Sequence, residues 1–279
     1  MSPTDVLKKA KILLSFCLLA CHKPSAQSPL PHFCRELESS IQKLHWKLQP
    51  CQGIHWQVGG YSVERRPLIY TELGNPHAKN KTLIFSMVHG DEITPLYSAI
   101  ALIDLLKQKP LFQTHVIIAP LVNPDGFFKR TRTNTHGVDI NRNFATQDWK
   151  PSHRNPRRNT GKHPDSEPET RFQEQLILTT SPHKILSIHA PLNFLDYDGP
   201  GTIPIPLPKD YIQACNRLRR RFKAQSGGYF PGSLGNYAGH LGIPTLTAEL
   251  QTSQPENAVS HWKHVQSWME TLIDFEINP

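Results

Sequence analysis

Three short apolar runs, Leu83–Val88, Val116–Pro120 and Ile185–Ile188, constrain this chain more than any other feature. Each has strand length and lacks the polar alternation of a half-exposed strand, so each reads as a strand buried on both faces. A fourth strand is expected at Thr245–Leu250, and two more precede the set at Ile54–Val63 and Leu68–Leu73. Between them lie segments with apolar residues at helical spacing: Thr94–Leu106, Glu169–Thr179, Tyr211–Gln225 and Trp262–Phe275. A further helix is expected near Ser39–Leu48, and Ser166 reads as the N-cap of the helix that follows it. Ala145–Pro168, polar and rich in proline and arginine, reads as a loop. Strands alternating with helices predict an α/β fold, a three-layer α/β/α sandwich around a mixed central sheet.

The predicted strands end on reactive side chains. His89 follows the run Thr82–Val88, Glu92 lies three residues on, and His189 follows Lys184–Ile188. Zinc takes nitrogen and oxygen ligands, and a catalytic site uses three protein ligands with a fourth position left for water. A carboxylate on another strand, Glu249 in T-L-T-A-E-L, is available as general base. Sites in such folds lie at the carboxyl ends of strands, where His89, Asn123, His189 and Glu249 fall. A lone strand-end histidine is more often a hydrogen-bonded scaffold residue, and H-x-x-E recurs by chance. The surrounding sequence changes that balance.

Asn123-Pro-Asp-Gly126, then Arg132-x-Asn134, then Gly137-Val-Asp-Ile-Asn-Arg-Asn-Phe144 resemble the core of the carboxypeptidase A family of zinc peptidases. The resemblance runs from about Trp56 to about Gln251, with the motifs in the family's order. Within the family it is nearest to the bacterial cell-wall subgroup of murein peptide amidase type, through Ile188-His-Ala-Pro-Leu192, Asp196-Tyr-Asp-Gly-Pro200 and Pro231–Gly239. The first two strands resemble the hairpin that opens the family's domain.

This resemblance implies one Zn2+ per chain held by His89, Glu92 and His189, with Glu249 as the base that moves the water proton to the leaving nitrogen. Arg132 resembles the arginine that stabilises the tetrahedral oxyanion, with Arg130 as the competing choice across K-R-T-R. Asn141 and Arg142 match the pair that grips a terminal carboxylate. Asp139 is a candidate to orient a ligand histidine, and Asp125 to serve the N-P-D-G turn. Tyr237, in a glycine-rich segment resembling the substrate-side loop, is expected to touch substrate, with Tyr229 as its alternative. The implied substrate is a murein peptide, cut between γ-D-glutamate and a diamino acid whose ammonium could meet Asp196 or Asp198. The alternatives are a murein carboxypeptidase removing one terminal residue, and an inactive cell-wall peptide-binding relative.

The N-terminus adds an address. Lys8, Lys9 and Lys11 precede the apolar stretch Ile12–Ala20, which suits an export signal and is too short to span a bilayer. Leu18-Leu-Ala-Cys21 resembles a lipobox, so Cys21 is a candidate for lipidation and membrane attachment; cleavage nearby to give a soluble periplasmic enzyme is the alternative. The expected organisation is a signal at 1–21, an N-terminal helix and linker at 22–53, and a catalytic domain at 54–279. Cys34 and Cys51 are candidates for a disulfide of the kind oxidising compartments permit, or else free thiols, leaving Cys215 buried in a helix. The net charge of +8 gathers in Lys150–Arg158 and Arg217–Lys223. No nucleic-acid module accompanies these runs, so no nucleic-acid partner is expected; a basic surface also favours approach to an anionic polymer.

Overall fold

The computed structural model describes residues 29–198, 209–225 and 228–277. The calls for a signal at 1–21 and a lipidated Cys21 lie outside them. Among the described residues, seven strands make one mixed sheet: β1 (Gln57–Tyr61), β2 (Pro67–Gly74), β3 (Asn80–Ser86), β4 (Thr114–Ala119), β5 (Lys184–His189), β6 (Phe194–Asp198) and β7 (Thr245–Glu249). Their order is β1-β2-β4-β3-β5-β7-β6. The four inner strands, β4, β3, β5 and β7, run parallel, and the antiparallel pairs lie at the two sides of the sheet. The expected opening hairpin is present as β1 and β2.

Alternate residues of the inner strands feed two cores. Ile84, Val116, Ile118, Leu186 and Leu246 face one side. There they pack with helices α1 (Leu30–Lys43), α2 (Thr94–Leu106), α5 (Lys209–Phe222) and α7 (Ala258–Asp274). Leu83, Phe85, Ile117, Ala119 and Ile185 face the other, against α4 (Pro168–Thr180) and α6 (Leu234–His240). Burial on both faces is why these strands carry apolar runs rather than alternation. The result is the expected sandwich. Phe33, Leu37 and Ile41 of α1 are buried in the same core as α2, so the N-terminal helix packs onto the sheet domain.

Several boundaries differ from expectation. The first helix spans Leu30–Lys43 rather than Ser39–Leu48: prolines at 29 and 31 preorganise its start, and His45 at φ 58° turns the chain out of it. Cys34 and Cys51 are joined by a disulfide with a Cα–Cα distance of 5.8 Å, and Cys215 is buried and not disulfide-bonded. N-P-D-G is not a simple turn but the start of a short helix, α3 (Pro124–Lys129). Asn123 caps it by accepting from Gly126 N at 2.9 Å. Glu167, not Ser166, holds the N-cap position of α4; the Ser166 hydroxyl instead donates to the Glu167 carboxylate at 2.6 Å. Strand β6 was not foreseen, and Leu234–His240 is a helix where a glycine-rich loop was expected.

Candidate active site

The chain leaves β3 through Met87, whose left-handed backbone (φ 53°) turns it into the His89–Glu92 segment. This segment is seated on α3. A side chain at Gly90 would lie 2.0 Å from the Gly126 carbonyl carbon, so the approach needs a glycine at position 90. Gly90 N donates to Arg132 O at 3.3 Å, and the Asn123 side-chain amide donates to the same carbonyl at 3.3 Å. N-P-D-G therefore braces the loop that carries His89 and Glu92. Asp125 is fully buried and works on the other side, accepting from Ser62 Oγ at 2.9 Å, Glu64 N at 2.9 Å and Arg66 at 2.7 Å. It ties the β1–β2 hairpin to α3 rather than closing a turn.

His89, Glu92 and His189 converge with donor atoms all within 4.8 Å of one another. Nδ1 of His89 lies 2.7 Å from Glu92 Oε1, Nδ1 of His189 lies 2.9 Å from Glu92 Oε2, and the two Nδ1 atoms are 3.1 Å apart. All three residues are buried. Burial alone would push the Glu92 carboxyl up, but the two imidazoles outweigh it and hold the group well below the usual carboxylate range. Two imidazole nitrogens and one carboxylate facing a common point are the donor set zinc takes, so these residues fit that ion.

The outer nitrogens are anchored. His89 Nε2 lies 3.0 Å from Asp139 Oδ1, and His189 Nε2 lies 2.9 Å from Ser187 Oγ. Asp139 was a candidate for this contact. Ser187 was not weighed, although its place two residues before His189 on a strand puts it on the same face. Arg132 lies against the cluster, with Nη1 at 3.1 Å from Glu92 Oε1 and Nη2 at 3.1 Å from Asp139 Oδ2. Arg130 takes the left-handed position that ends α3, and its guanidinium stacks over the Phe127 ring at 4.9 Å. Of the two arginines, only Arg132 reaches the His89–Glu92–His189 cluster. Its Nε also donates to Arg157 O at 3.1 Å, while the Arg157 side chain bonds Asp91 at 2.8 Å. This strap from the basic loop was not foreseen.

The cluster opens into a cleft of about 620 Å³ that is also lined by Asn141, Arg142, Glu249 and Asp196. Asn141 Oδ1 accepts from Leu234 N at 2.9 Å, and the Arg142 guanidinium stacks on the Phe230 ring at 4.6 Å. Glu249 stands at the end of β7 as the register partner of His189 on β5. Its Oε2 is buried with no hydrogen-bond partner among the described residues, and burial pushes its carboxyl up. Tyr237 is a correction: it does not line the cleft. Because its segment is helical, its ring turns inward against Phe144, with centroids 5.4 Å apart. Tyr229 does not line it either and hydrogen-bonds Asp148.

Comparison with known proteins gives consistent results. A family model described as zinc carboxypeptidase matches residues 49–216. The chain is 30% identical over 215 residues to murein peptide amidase A of Escherichia coli (strain K12), covering 71% of this chain and 82% of that protein. It is 27% identical to the Vibrio campbellii protein of the same name, with 76% and 85% covered. Among solved structures, murein-tripeptide amidase from Escherichia coli O157 superposes with a TM-score of 0.59 at 26% identity, covering 79% of this chain and 92% of that one. Carboxypeptidase A from Helicoverpa armigera shares the fold, with a TM-score of 0.64 at 17% identity over 85% and 71% of the two chains.

Proposed function

Because the chain belongs to the zinc carboxypeptidase family and is a hydrolase, we propose that it cuts peptidoglycan stem peptides at the bond between γ-D-glutamate and a diamino acid. The observation that carries the reading is the convergence of His89, Glu92 and His189 beside the unpartnered carboxylate oxygen of Glu249, in one cleft. The substrate class is supported by the likeness to two murein peptide amidases.

His89, Glu92 and His189 would hold one Zn2+, which supplies an acidified water and polarises the scissile carbonyl. Glu249 is the proton carrier. Burial favours its protonated form and keeps Oε2 clear of other protein donors, so it takes a proton at that atom and returns it to the leaving nitrogen. Arg132 places a fixed cation at the cluster, where negative charge develops on the carbonyl oxygen. Arg142 presents a planar guanidinium to a substrate carboxylate, and Asn141, with its oxygen already engaged, presents its amide donor. Export belongs to the same reading. It rests on the basic and apolar leader before Cys21, and the Cys34–Cys51 disulfide suits an oxidising compartment.

The test is mass spectrometry of products from murein tripeptide and tetrapeptide, with zinc content measured in parallel. Wild type is expected to release free diaminopimelate from the tripeptide, and Glu249→Gln to release none while keeping its zinc. Release of D-alanine alone from the tetrapeptide would refute the bond assignment and leave the peptidase. Absence of any product from the zinc-loaded wild type would refute the catalytic reading.

A further inference from the structure

The basic loop sends one segment to the catalytic cluster, and both chain neighbours of Arg158 are fastened there. Arg157 O accepts from Arg132 Nε at 3.1 Å, and Asn159 O accepts from the backbone N–H of Asp139 at 2.9 Å. The Asn159 side-chain amide also donates to Gly137 O at 3.0 Å. Arg158 therefore rides on a backbone pinned on one side to Arg132 and on the other to the acid that orients His89. Its side chain is exposed and borders the cleft.

Arg132, Arg142, Arg157 and Arg158 all line the cleft. The first three have tasks. Arg132 lies against Glu92 and Asp139, Arg142 is the proposed grip on a terminal carboxylate, and Arg157 neutralises Asp91 at 2.8 Å. Among the described residues, no carboxylate, carbonyl or aromatic ring engages the Arg158 guanidinium, so it brings an uncompensated positive charge to the rim. Asn155 stands beside it. Arg158 N donates to Asn155 O at 2.9 Å, closing a single helical turn, and Asn155 Oδ1 accepts from Arg157 N at 2.9 Å. With that oxygen engaged, Asn155 has its amide N–H groups to offer the cleft it also lines. Asn141 and Arg142 show the same arrangement, with Asn141 Oδ1 taken by Leu234 N and a guanidinium next to it. The cleft thus carries two asparagine–arginine pairs, one beside α6 and one on the strap from the basic loop.

A γ-glutamyl bond gives such a cleft two carboxylates to hold. One is the terminal carboxylate of the leaving residue. The other is the α-carboxylate of the glutamyl residue, left free because that residue is joined through its side chain. It lies about 5 Å from the scissile carbonyl, across three carbons. We propose that Asn155 and Arg158 form a second carboxylate site, which receives this α-carboxylate on the acyl side of the bond. This rests on the hydrolase reading and adds what the site requires of the acyl residue. The strap passes beside Arg132, the group aimed at the carbonyl oxygen, so its guanidinium fork stands near the bond that is cut. Amidation of the α-carboxylate removes the charge and with it the contact.

The experiment compares kcat/KM for γ-D-glutamyl-diaminopimelate and γ-D-isoglutaminyl-diaminopimelate, which differ only in a carboxamide replacing the α-carboxylate. Wild type is expected to favour the carboxylate by about 10-fold, the lower end for a charge-assisted contact because the guanidinium is exposed in the free cleft. Arg158→Gln should erase this preference, and Arg158→Lys, which keeps the charge without the fork, should retain part of it. Equal rates on the two compounds with wild type would overturn the proposal and leave the hydrolase reading intact. So would an Arg158→Gln variant that loses rate on both and keeps their ratio, the mark of a role in shaping the strap alone. Should neither compound be cleaved, the hydrolase reading fails, and calorimetric binding of the two compounds to zinc-loaded wild type decides the carboxylate site separately: tighter binding of the carboxylate upholds it, and equal affinity overturns it. The wild-type comparisons also decide the matter if a variant does not fold.

Discussion

Asp139 Oδ1 sits 3.0 Å from Nε2 of His89, on the far side of the ring from the Nδ1 that meets Glu92. The same carboxylate receives Arg132 through its other oxygen, so one buried acid sets the orientation of an imidazole and a guanidinium together. Partners of this kind typically contribute 10- to 100-fold to metal affinity. Asp139→Asn, which keeps the shape and removes the charge, should weaken zinc binding by about that factor in a chelator competition. Unchanged affinity in a folded variant would remove Asp139 from the site's support.

Arg132 and Arg130 lie two residues apart in sequence and in different surroundings. Arg132→Ala should lower kcat/KM by about 100- to 1000-fold, the usual effect of losing a donor to a developing oxyanion. Arg130→Ala removes only a stacking contact on Phe127 and should leave kcat/KM within about twofold. Steady-state kinetics on one substrate measures both. Comparable losses in the two variants would contradict the assignment.

The Cys34–Cys51 bond closes a loop with a sequence separation of 17, and it pins α1 to the segment that leads into the sheet. Loss of such a cross-link costs about 3 kcal/mol through the unfolded chain. The double variant Cys34→Ser/Cys51→Ser should lose that much in urea denaturation while its zinc content and kcat stay as in wild type. A variant of equal stability would show that the bond constrains little.

Burial pushes the Glu174 carboxyl up to about 8, and the neighbouring Asp165 adds to the shift. The unfolded chain releases that proton near the ordinary value of 4.5. Between those two values the folded state binds more protons, so the stability this group contributes is present below about 4.5 and is lost as pH rises through about 8. Glu174→Gln should flatten the fall in Tm between pH 5 and 8.5, a difference read by calorimetry of both proteins across that range. Parallel curves for the two proteins would rule Glu174 out.

What was legible in the sequence follows from how local each determinant is. Thr94–Leu106 was expected at the observed bounds, because Pro95 fixes its start and its apolar residues recur at helical spacing. The inner strands were legible because burial on both faces leaves a continuous apolar run. Strand β6 was not: F-L-D-Y-D carries two acids, and its strand character comes from pairing with β7 at the sheet edge. The Leu234–His240 helix was hidden by its glycines, and with it the inward turn of Tyr237. The convergence of His89, Glu92 and His189 could be read because each member ends or closely follows an apolar run. The choice between Arg130 and Arg132 could not, since it depends on a single left-handed residue at the end of α3.

The opposition of His189 and Glu249 is set by the hydrogen-bond ladder between β5 and β7. Removing one residue from Ile185–Ile188 would swing the imidazole to the opposite face of the sheet while the glutamate stayed behind. Lengthening the Ala145–Pro168 loop would move neither. Frame-preserving changes at the rim are therefore the tolerant route to altered preference in this molecule, and single-residue indels in its inner strands are the intolerant one.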